Sequence, residues 1–172
     1  MLVKKIIFRD TTEVAYNLNW SLILPRILNA GFLDVMNPAV LGMLYRIGSK
    51  WKIAFHLSEK EINKEIVDRL KENMINKFSS ISGEKISIKD TDFHLYSSGI
   101  KISSADTIPF SEQIIMPLSI AGSTLGILAI LPKDNEKLND EKMELLTTIS
   151  NILAMSLKNA QEYHQLKEMS VK

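Results

Sequence analysis

The stretch that decides the fold is residues 113–166, which read QIIMPLSIAGSTLGILAILPKDNEKLNDEKMELLTTISNILAMSLKNAQEYHQL. Residues 113–120 and 124–131 are apolar runs of strand length, and the Ala-Gly-Ser at residues 121–123 is a turn signal between them. The second run is apolar at nearly every position, which is typical of a central strand covered on both faces. We therefore expect a β-hairpin in the middle of a sheet, then a short loop and a long helix.

The long helix is predicted to begin at Asn139, a favoured N-cap residue. Two neighbouring stripes run along it at alternating steps of four and three residues, which is heptad spacing. The first stripe comprises Leu145, Ile149, Ile152, Ser156, Asn159, Tyr163 and Leu166, and the second comprises Leu146, Ser150, Leu153, Leu157, Ala160 and His164. The apolar arc narrows along the helix, so we expect it to pack on the sheet first and then to project beyond it.

A projecting helix with heptad spacing usually pairs with a second helix. We therefore predict a homodimer through the terminal helix. The residues predicted for this interface and for signalling are Ile149, Ile152, Ser156, Asn159, Tyr163 and Leu166.

Upstream, residues 39–47 and 51–57 predict a second hairpin around Gly48-Ser49-Lys50. Ser58 and Glu61 have the spacing of a capping box and predict the start of a middle helix. The apolar residues of that helix recur every four positions: Ile62, Ile66, Leu70, Met74 and Phe78.

Weaker strands are predicted at residues 85–88 and 93–96 around a turn, with a short strand at residues 100–102. Helical spacing from Tyr16 to Leu28, with a kink at Pro25, predicts an N-terminal helix. The elements together predict an α+β fold with a central antiparallel sheet of five or six strands. The N-terminal and C-terminal helices lie on one face in this prediction, and the middle helix with loops lies on the other.

Composition excludes several classes of function. The net charge of +1 does not direct the chain to nucleic acid or to acidic membranes. The absence of cysteine excludes disulfides, thiolate metal sites and cysteine nucleophiles, and it fits a reducing compartment. No signal-peptide core or bilayer-spanning run is recognisable. We expect a cytoplasmic location, with neither nucleic acid nor a membrane as partner of this chain.

Catalytic signals are weak, and we expect this chain not to be an enzyme. His56, His94 and His164 lack metal-ligand spacing, and no Gly-x-Ser-x-Gly elbow is present. The alternative to a catalytic role is that polar and aromatic residues on the predicted strands line a small-molecule pocket on the sheet. The candidates for its lining are Tyr45, His56, Phe93, His94, Tyr96 and Met116. The same pattern also allows the histidines to be polar residues at strand edges and Tyr45 to fill the core.

The order of Pro117-Leu118, Gly122, Leu125-Gly126-Ile127-Leu128, Leu138-Asn139-Asp140-Glu141 and Leu145-Leu146 resembles the closing half of a GAF sensor domain. The resemblance implies a GAF-like domain over residues 17–160, after a lead-in of residues 1–16. It also implies a ligand pocket on the sheet, whose state the terminal helices pass to an output domain.

Departures from the family pattern limit what the resemblance implies about ligands. No cysteine is present to hold a covalent bilin, and the sulfoxide reductases of this fold also need cysteines. The Asn-Lys-x-Phe-Asp-Glu motif of cyclic-nucleotide-binding members is missing, since residues 76–79 read Asn-Lys-Phe-Ser. The ligand is therefore unknown, and no cofactor is required.

Residues 166–172 resemble the linker that leads into a GGDEF diguanylate cyclase domain, and similar linkers lead into histidine kinases and phosphatases. The resemblance implies that residues 161–172 connect the sensor to an output domain outside this sequence. A dimerisation module with a collapsed pocket is the alternative function. A cavity on the sheet face opposite the terminal helices would favour sensing, and a filled interior there would favour dimerisation alone.

Overall fold

A computed structural model describes residues 35–36, 38–57, 61–95, 101–103, 113–132 and 138–171. The predicted N-terminal helix lies outside the described residues. Within them, a five-stranded sheet is covered by one helix on each face.

The first hairpin consists of β1 (Pro38–Ile47) and β2 (Lys50–Leu57), which pair antiparallel as predicted. Gly48 has a φ of 60° and occupies the first central position of the two-residue turn. That position favours glycine in type II′ hairpin turns, whose twist matches the flanking strands. The alternation of β2 places Trp51, Ile53 and Phe55 on one face, also as predicted.

A small two-stranded sheet and a helix complete the middle of the chain. β3 (Glu61–Asn63) pairs in parallel with β5 (Lys101–Ser103), and α1 spans Lys64–Ser82. The predicted capping box is therefore wrong, because Glu61 belongs to a strand and the helix begins three residues later. Residues 61–63 pair with a segment distant in sequence, and this pairing holds them extended rather than helical. The predicted strand at residues 100–102 corresponds to β5.

β4 (Thr91–Leu95) corrects the prediction of a wholly antiparallel sheet. It pairs in parallel with β2, and α1 forms the crossover that a parallel connection requires. The predicted strand at residues 85–88 is wrong. Those residues lead into a 3₁₀ turn, Ile88–Asp90, in which the Asp90 amide donates to the Ser87 carbonyl.

The second hairpin consists of β6 (Ile114–Ile120) and β7 (Ser123–Pro132). Ala121 and Gly122 have φ values of 51° and 81°, which is the pattern of a type I′ turn. β7 also pairs with β1, so the two hairpins join into the order β4-β2-β1-β7-β6. β7 is buried from Gly126 to its end, as predicted for a central strand.

α2 (Asp140–Val171) follows the second hairpin. Asn139 Oδ1 accepts a hydrogen bond of 2.8 Å from the Lys142 amide, which confirms the predicted N-cap. Neither described helix is both long and apolar enough to cross a membrane.

The sheet separates two apolar clusters, as its two-residue side-chain period dictates. One cluster lies between the sheet and α1, and we call this side the α1 face. The other lies between the sheet and α2, and we call it the α2 face. The middle and terminal helices thus cover opposite faces, as predicted.

Candidate functional site

The structure divides the predicted pocket residues between the two faces of the sheet. Tyr45 is buried in the cluster beneath α2, and Met116 packs against the same cluster. His56 lies on this face too, because Ala54, two residues earlier in β2, belongs to that cluster. Phe93 packs against the opposite cluster, beneath α1. These residues therefore do not form one site.

This division corrects the predicted pocket lining. A pocket opposite the terminal helix would lie on the α1 face, and Tyr45, His56 and Met116 point to the other side of the sheet. His94 is a β4 residue whose Cα lies opposite that of Ala54, and its side chain is outside the described part. Tyr96 is outside the described residues altogether. Phe93 alone is described on the expected side.

The centre of the α1 face is filled by close-packed side chains. A Cβ at Gly42 would lie 2.5 Å from Phe55 Cε1 and 3.4 Å from Met74 Sδ, so the glycine makes room for both. Trp51 and Phe78 meet edge to face with their ring centroids 4.7 Å apart. The part of this face directly beneath α1 is therefore core, and polar groups are found on its two flanks.

The flank near β6 carries two amides. Asn73 Nδ2 on α1 donates a hydrogen bond of 2.7 Å to Gln113 Oε1, which lies one residue before β6. Gln113 Nε2 is buried and has no hydrogen-bond partner among the described residues. If both amides are turned over, their roles reverse and the buried atom becomes an acceptor. In either assignment one buried polar atom can still bond to a further group.

The flank near β4 carries a lysine over an aromatic ring. The Lys71 ammonium lies 3.6 Å from the centroid of the Phe93 ring, which in turn meets Phe55 edge to face at 5.4 Å. Partial burial lowers the pKa of Lys71, with a smaller opposing effect from the nearby Asp68 carboxylate. The arrangement is a cation–π contact on the rim of the core.

Sequence patterns did not single out Asn73, Gln113 or Lys71. Lys71 belongs to the charged face of an amphipathic helix, where most lysines are simply solvated. The Asn73–Gln113 bond joins residues 40 positions apart. The only local signal is a polar residue directly before an apolar strand, which does not reveal its partner.

The predicted interface residues of α2 occupy different environments. Ile149 and Ser156 are buried in the chain's own core, where they cannot contact a partner. Ile152 and Asn159 are half-buried. Tyr163 and Leu166 are 46% and 65% exposed. The predicted stripe thus combines core residues with residues on the outer side of the helix.

The outer face also includes Met155, which is 50% exposed and was not predicted. Met155 and Leu166 are eleven residues apart, which places them on one side of the helix at 3.6 residues per turn. We call Ile152, Met155, Tyr163 and Leu166 the outer surface of α2. Beyond Ala160, every described side chain is half-buried or exposed.

One titratable side chain on the α2 face has a shifted pKa. Burial lowers the pKa of His56, which favours the neutral imidazole. Among the described residues, no group of three or more histidine or acidic side chains could hold a metal ion.

Comparison with known proteins bears on the fold. No protein-family model and no curated protein sequence matches this chain. Among solved structures, it is similar to the GAF domain from Acinetobacter phosphoenolpyruvate-protein phosphotransferase, at 13% sequence identity and a TM-score of 0.52. The match covers 92% of this chain and 93% of that chain. The predicted α+β, GAF-like architecture is therefore confirmed, and this chain has the GAF fold.

Proposed function

We propose that this chain is a regulatory sensing module. It binds a small molecule on the α1 face and passes the bound state through α2 to an output domain. The GAF fold supports this function, and the observation that carries it is the change of environment along α2. The helix contributes buried residues to the core as far as Ala160, and residues 161–171 then extend for about 16 Å at ~1.5 Å per residue.

A helix of this kind is suited to transmission. Its first half moves with the sheet on which it packs, and its second half carries that movement to whatever it contacts. We call residues 145–160 of α2, which pack on the sheet, the seat of the helix. A rotation of the seat is transmitted along the continuous helix, because its backbone hydrogen bonds keep it stiff.

The junction of Asn73 and Gln113 is the proposed ligand contact. A buried amide donor without an acceptor is unfavourable by about 1–3 kcal/mol, and an acceptor on a ligand would remove that penalty. A small molecule with a carboxylate or carbonyl oxygen has the complementary chemistry. Phe93, on the other flank of α1, remains a candidate for apolar contact.

Ligand binding is tested with cyclic nucleotides, amino acids, haem and small organic acids, by native mass spectrometry and thermal shift. A true ligand at about 100 times its Kd should raise the Tm by about 5 °C or more. Gln113→Leu should abolish that rise, and the matched change Gln165→Leu on exposed α2 should preserve it. A ligand whose effect is equal in both variants would refute the Gln113 site.

Homodimerisation through the outer surface of α2 is the second part of the proposal. Leu166→Glu places a charge in that surface and should raise the dimer dissociation constant by at least about tenfold. Gln165→Glu adds the same charge on the adjacent exposed position and should leave dimerisation intact. Light scattering with in-line chromatography gives the mass; a wild-type monomer, or a Leu166→Glu dimer of unchanged affinity, would exclude this interface.

A dimerisation module without a ligand is the alternative, and the filled centre of the α1 face favours it. The two functions differ in their response to the ligand panel. A dimer that binds no member of the panel supports the alternative, whereas a ligand that depends on Gln113 supports sensing.

A diguanylate cyclase is the output domain that we propose, on the resemblance of residues 166–172 to a GGDEF linker. The continuation of the open reading frame tests it. An Asp-x-Leu-Thr-Gly-Leu segment soon after Lys172 would support a cyclase. A histidine kinase sequence there would replace it with the other proposed output, and a stop codon would remove both.

A further inference from the structure

Methionine is the only sulfur-bearing residue in this chain, which has eight methionines and no cysteine. Four methionines belong to the α2 face. Met36 and Met43 are buried there, whereas Met116 and Met143 lie partly exposed at the margin. Peroxides convert the methionine thioether into a sulfoxide, which turns a flexible apolar side chain into a polar one. The α2 face is therefore open to oxidation at its margin.

Met116 belongs to the sheet, and its sulfur is joined to α2 by a hydrogen bond. Ser150 Oγ donates a hydrogen bond of 2.8 Å to Met116 Sδ. Ser150 is only 3% exposed, so its hydroxyl relies on this sulfur rather than on bulk water. Met116 belongs to the edge strand β6, and Ser150 belongs to the buried half of α2. The contact thus joins the sheet edge to the helix that leaves the domain.

We infer that Met116 is a modification site for peroxide, and that its sulfoxidation weakens the packing of α2 against β6. A sulfur lone pair attacks the terminal oxygen of a hydroperoxide, and the O–O bond breaks. The proton of the transferred hydroxyl moves to the departing oxygen, which leaves as water or an alcohol. Sulfur loses two electrons and the peroxide gains them. The site requires no small-molecule ligand on the α1 face.

The geometry explains why oxidation of Met116 alters the packing of α2 on the sheet. A separation of 2.8 Å between Ser150 Oγ and Met116 Sδ leaves no room for another oxygen between them. If oxygen is added on that side, Ser150 and α2 must move away. If it is added on the other side, a polar S=O group lies at the margin of an apolar cluster, which is unfavourable unless it turns toward water.

The test compares Met116 with Met155, an internal control on the same protein. Met155 is 50% exposed on the outer face of α2 and is not a member of the apolar cluster on the α2 face. The full chain is titrated with hydrogen peroxide, and the oxidised peptides are mapped by mass. Met116 and Met155 should both gain one oxygen atom before Met36 and Met43 do. Full oxidation of Met155 with Met116 still reduced would overturn the inference.

The structural consequence is measured on matched variants. Oxidation should lower the Tm of wild type by about 3–8 °C and speed amide exchange of residues 145–160. Met116→Leu should abolish both effects, and Met155→Leu should preserve them. Met116→Gln, which places a polar amide at the same position, should reproduce the lower Tm without peroxide. Methionine sulfoxide reductases should restore the wild-type Tm. Equal losses in wild type and Met116→Leu would contradict the inference.

Discussion

The helices on the two faces of the sheet differ in what they bury. The buried side chains of α1 are all apolar and mostly large: Ile66, Val67, Leu70, Met74, Ile75 and Phe78. The buried part of α2 combines leucines with small or hydroxyl side chains, and both buried polar residues in the described part, Ser150 and Ser156, lie on it. Large interdigitated side chains resist sliding more than small ones do. We therefore expect α2, rather than α1, to be the helix that shifts on the sheet.

Removal of a large side chain from the α1 face should have the largest effect. Phe78→Ala deletes a ring that meets Trp51 edge to face and leaves a cavity under α1. We expect a loss of about 3–5 kcal/mol in the free energy of unfolding, measured by urea denaturation. Ile81→Ala, one turn further at an exposed position, is the control and should change little. A loss below about 1 kcal/mol for Phe78→Ala would mean that this face is loosely packed.

Overpacking beneath α2 should have a smaller effect. A Cβ at Gly126 would collide with the Leu44 carbonyl oxygen and lie 3.2 Å from Leu157 Cδ1. Gly126→Ala must therefore separate β7 from β1 or displace α2, at a cost of about 2–3 kcal/mol. Ser123→Ala at the exposed start of β7 is the control. Equal stability of Gly126→Ala and wild type would show that the α2 face yields without cost.

Removal of the bond between helix and sulfur should cost less again. Ser150→Ala deletes the donor to Met116 and leaves no unpaired hydroxyl, because thioether sulfur is only a weak acceptor. We expect a loss of at most about 1 kcal/mol in urea denaturation. Thr147→Ala, which deletes an exposed hydroxyl that bonds the Met143 carbonyl, is the matched control. A loss above about 2 kcal/mol would make Ser150 a structural residue rather than part of an adjustable seat.

The smallest expected effect concerns the titration of His56 on the α2 face. Burial lowers its pKa, so the unfolded chain binds the proton more readily once the pH falls below about 6.5. Protonation of His56 therefore does not reduce the free energy of unfolding above that pH, and it reduces this free energy increasingly as the pH falls below it. His56→Gln should reduce the Tm difference between about pH 7.5 and pH 5.5 by roughly 1–2 °C, since the imidazole keeps partial contact with water. An unchanged difference would exclude His56 as a source of acid sensitivity.

Local patterns predicted most of the fold but not its long-range pairings. Turn residues and alternation identified both hairpins, and Asn139 marked the start of α2. The parallel pairing of β4 depends on a crossover through α1, and the pairing of Glu61 with Lys101 spans 40 positions. Neither pairing can be recognised from local sequence, because the direction and the partner of a strand are determined by the whole sheet. For the same reason the sequence identified apolar candidates such as Tyr45 without the face on which they lie.

The central claim is that α2 has two parts, a seat over residues 145–160 and a projecting segment over residues 161–171. Amide hydrogen exchange of wild type and Leu166→Glu tests it most directly. We predict slow exchange of the seat in both proteins. The projecting segment should be protected in the wild-type dimer and should exchange at least about tenfold faster in Leu166→Glu, because its partner helix is lost. Faster exchange in the seat, or equal protection of the projecting segment in both proteins, would contradict the account.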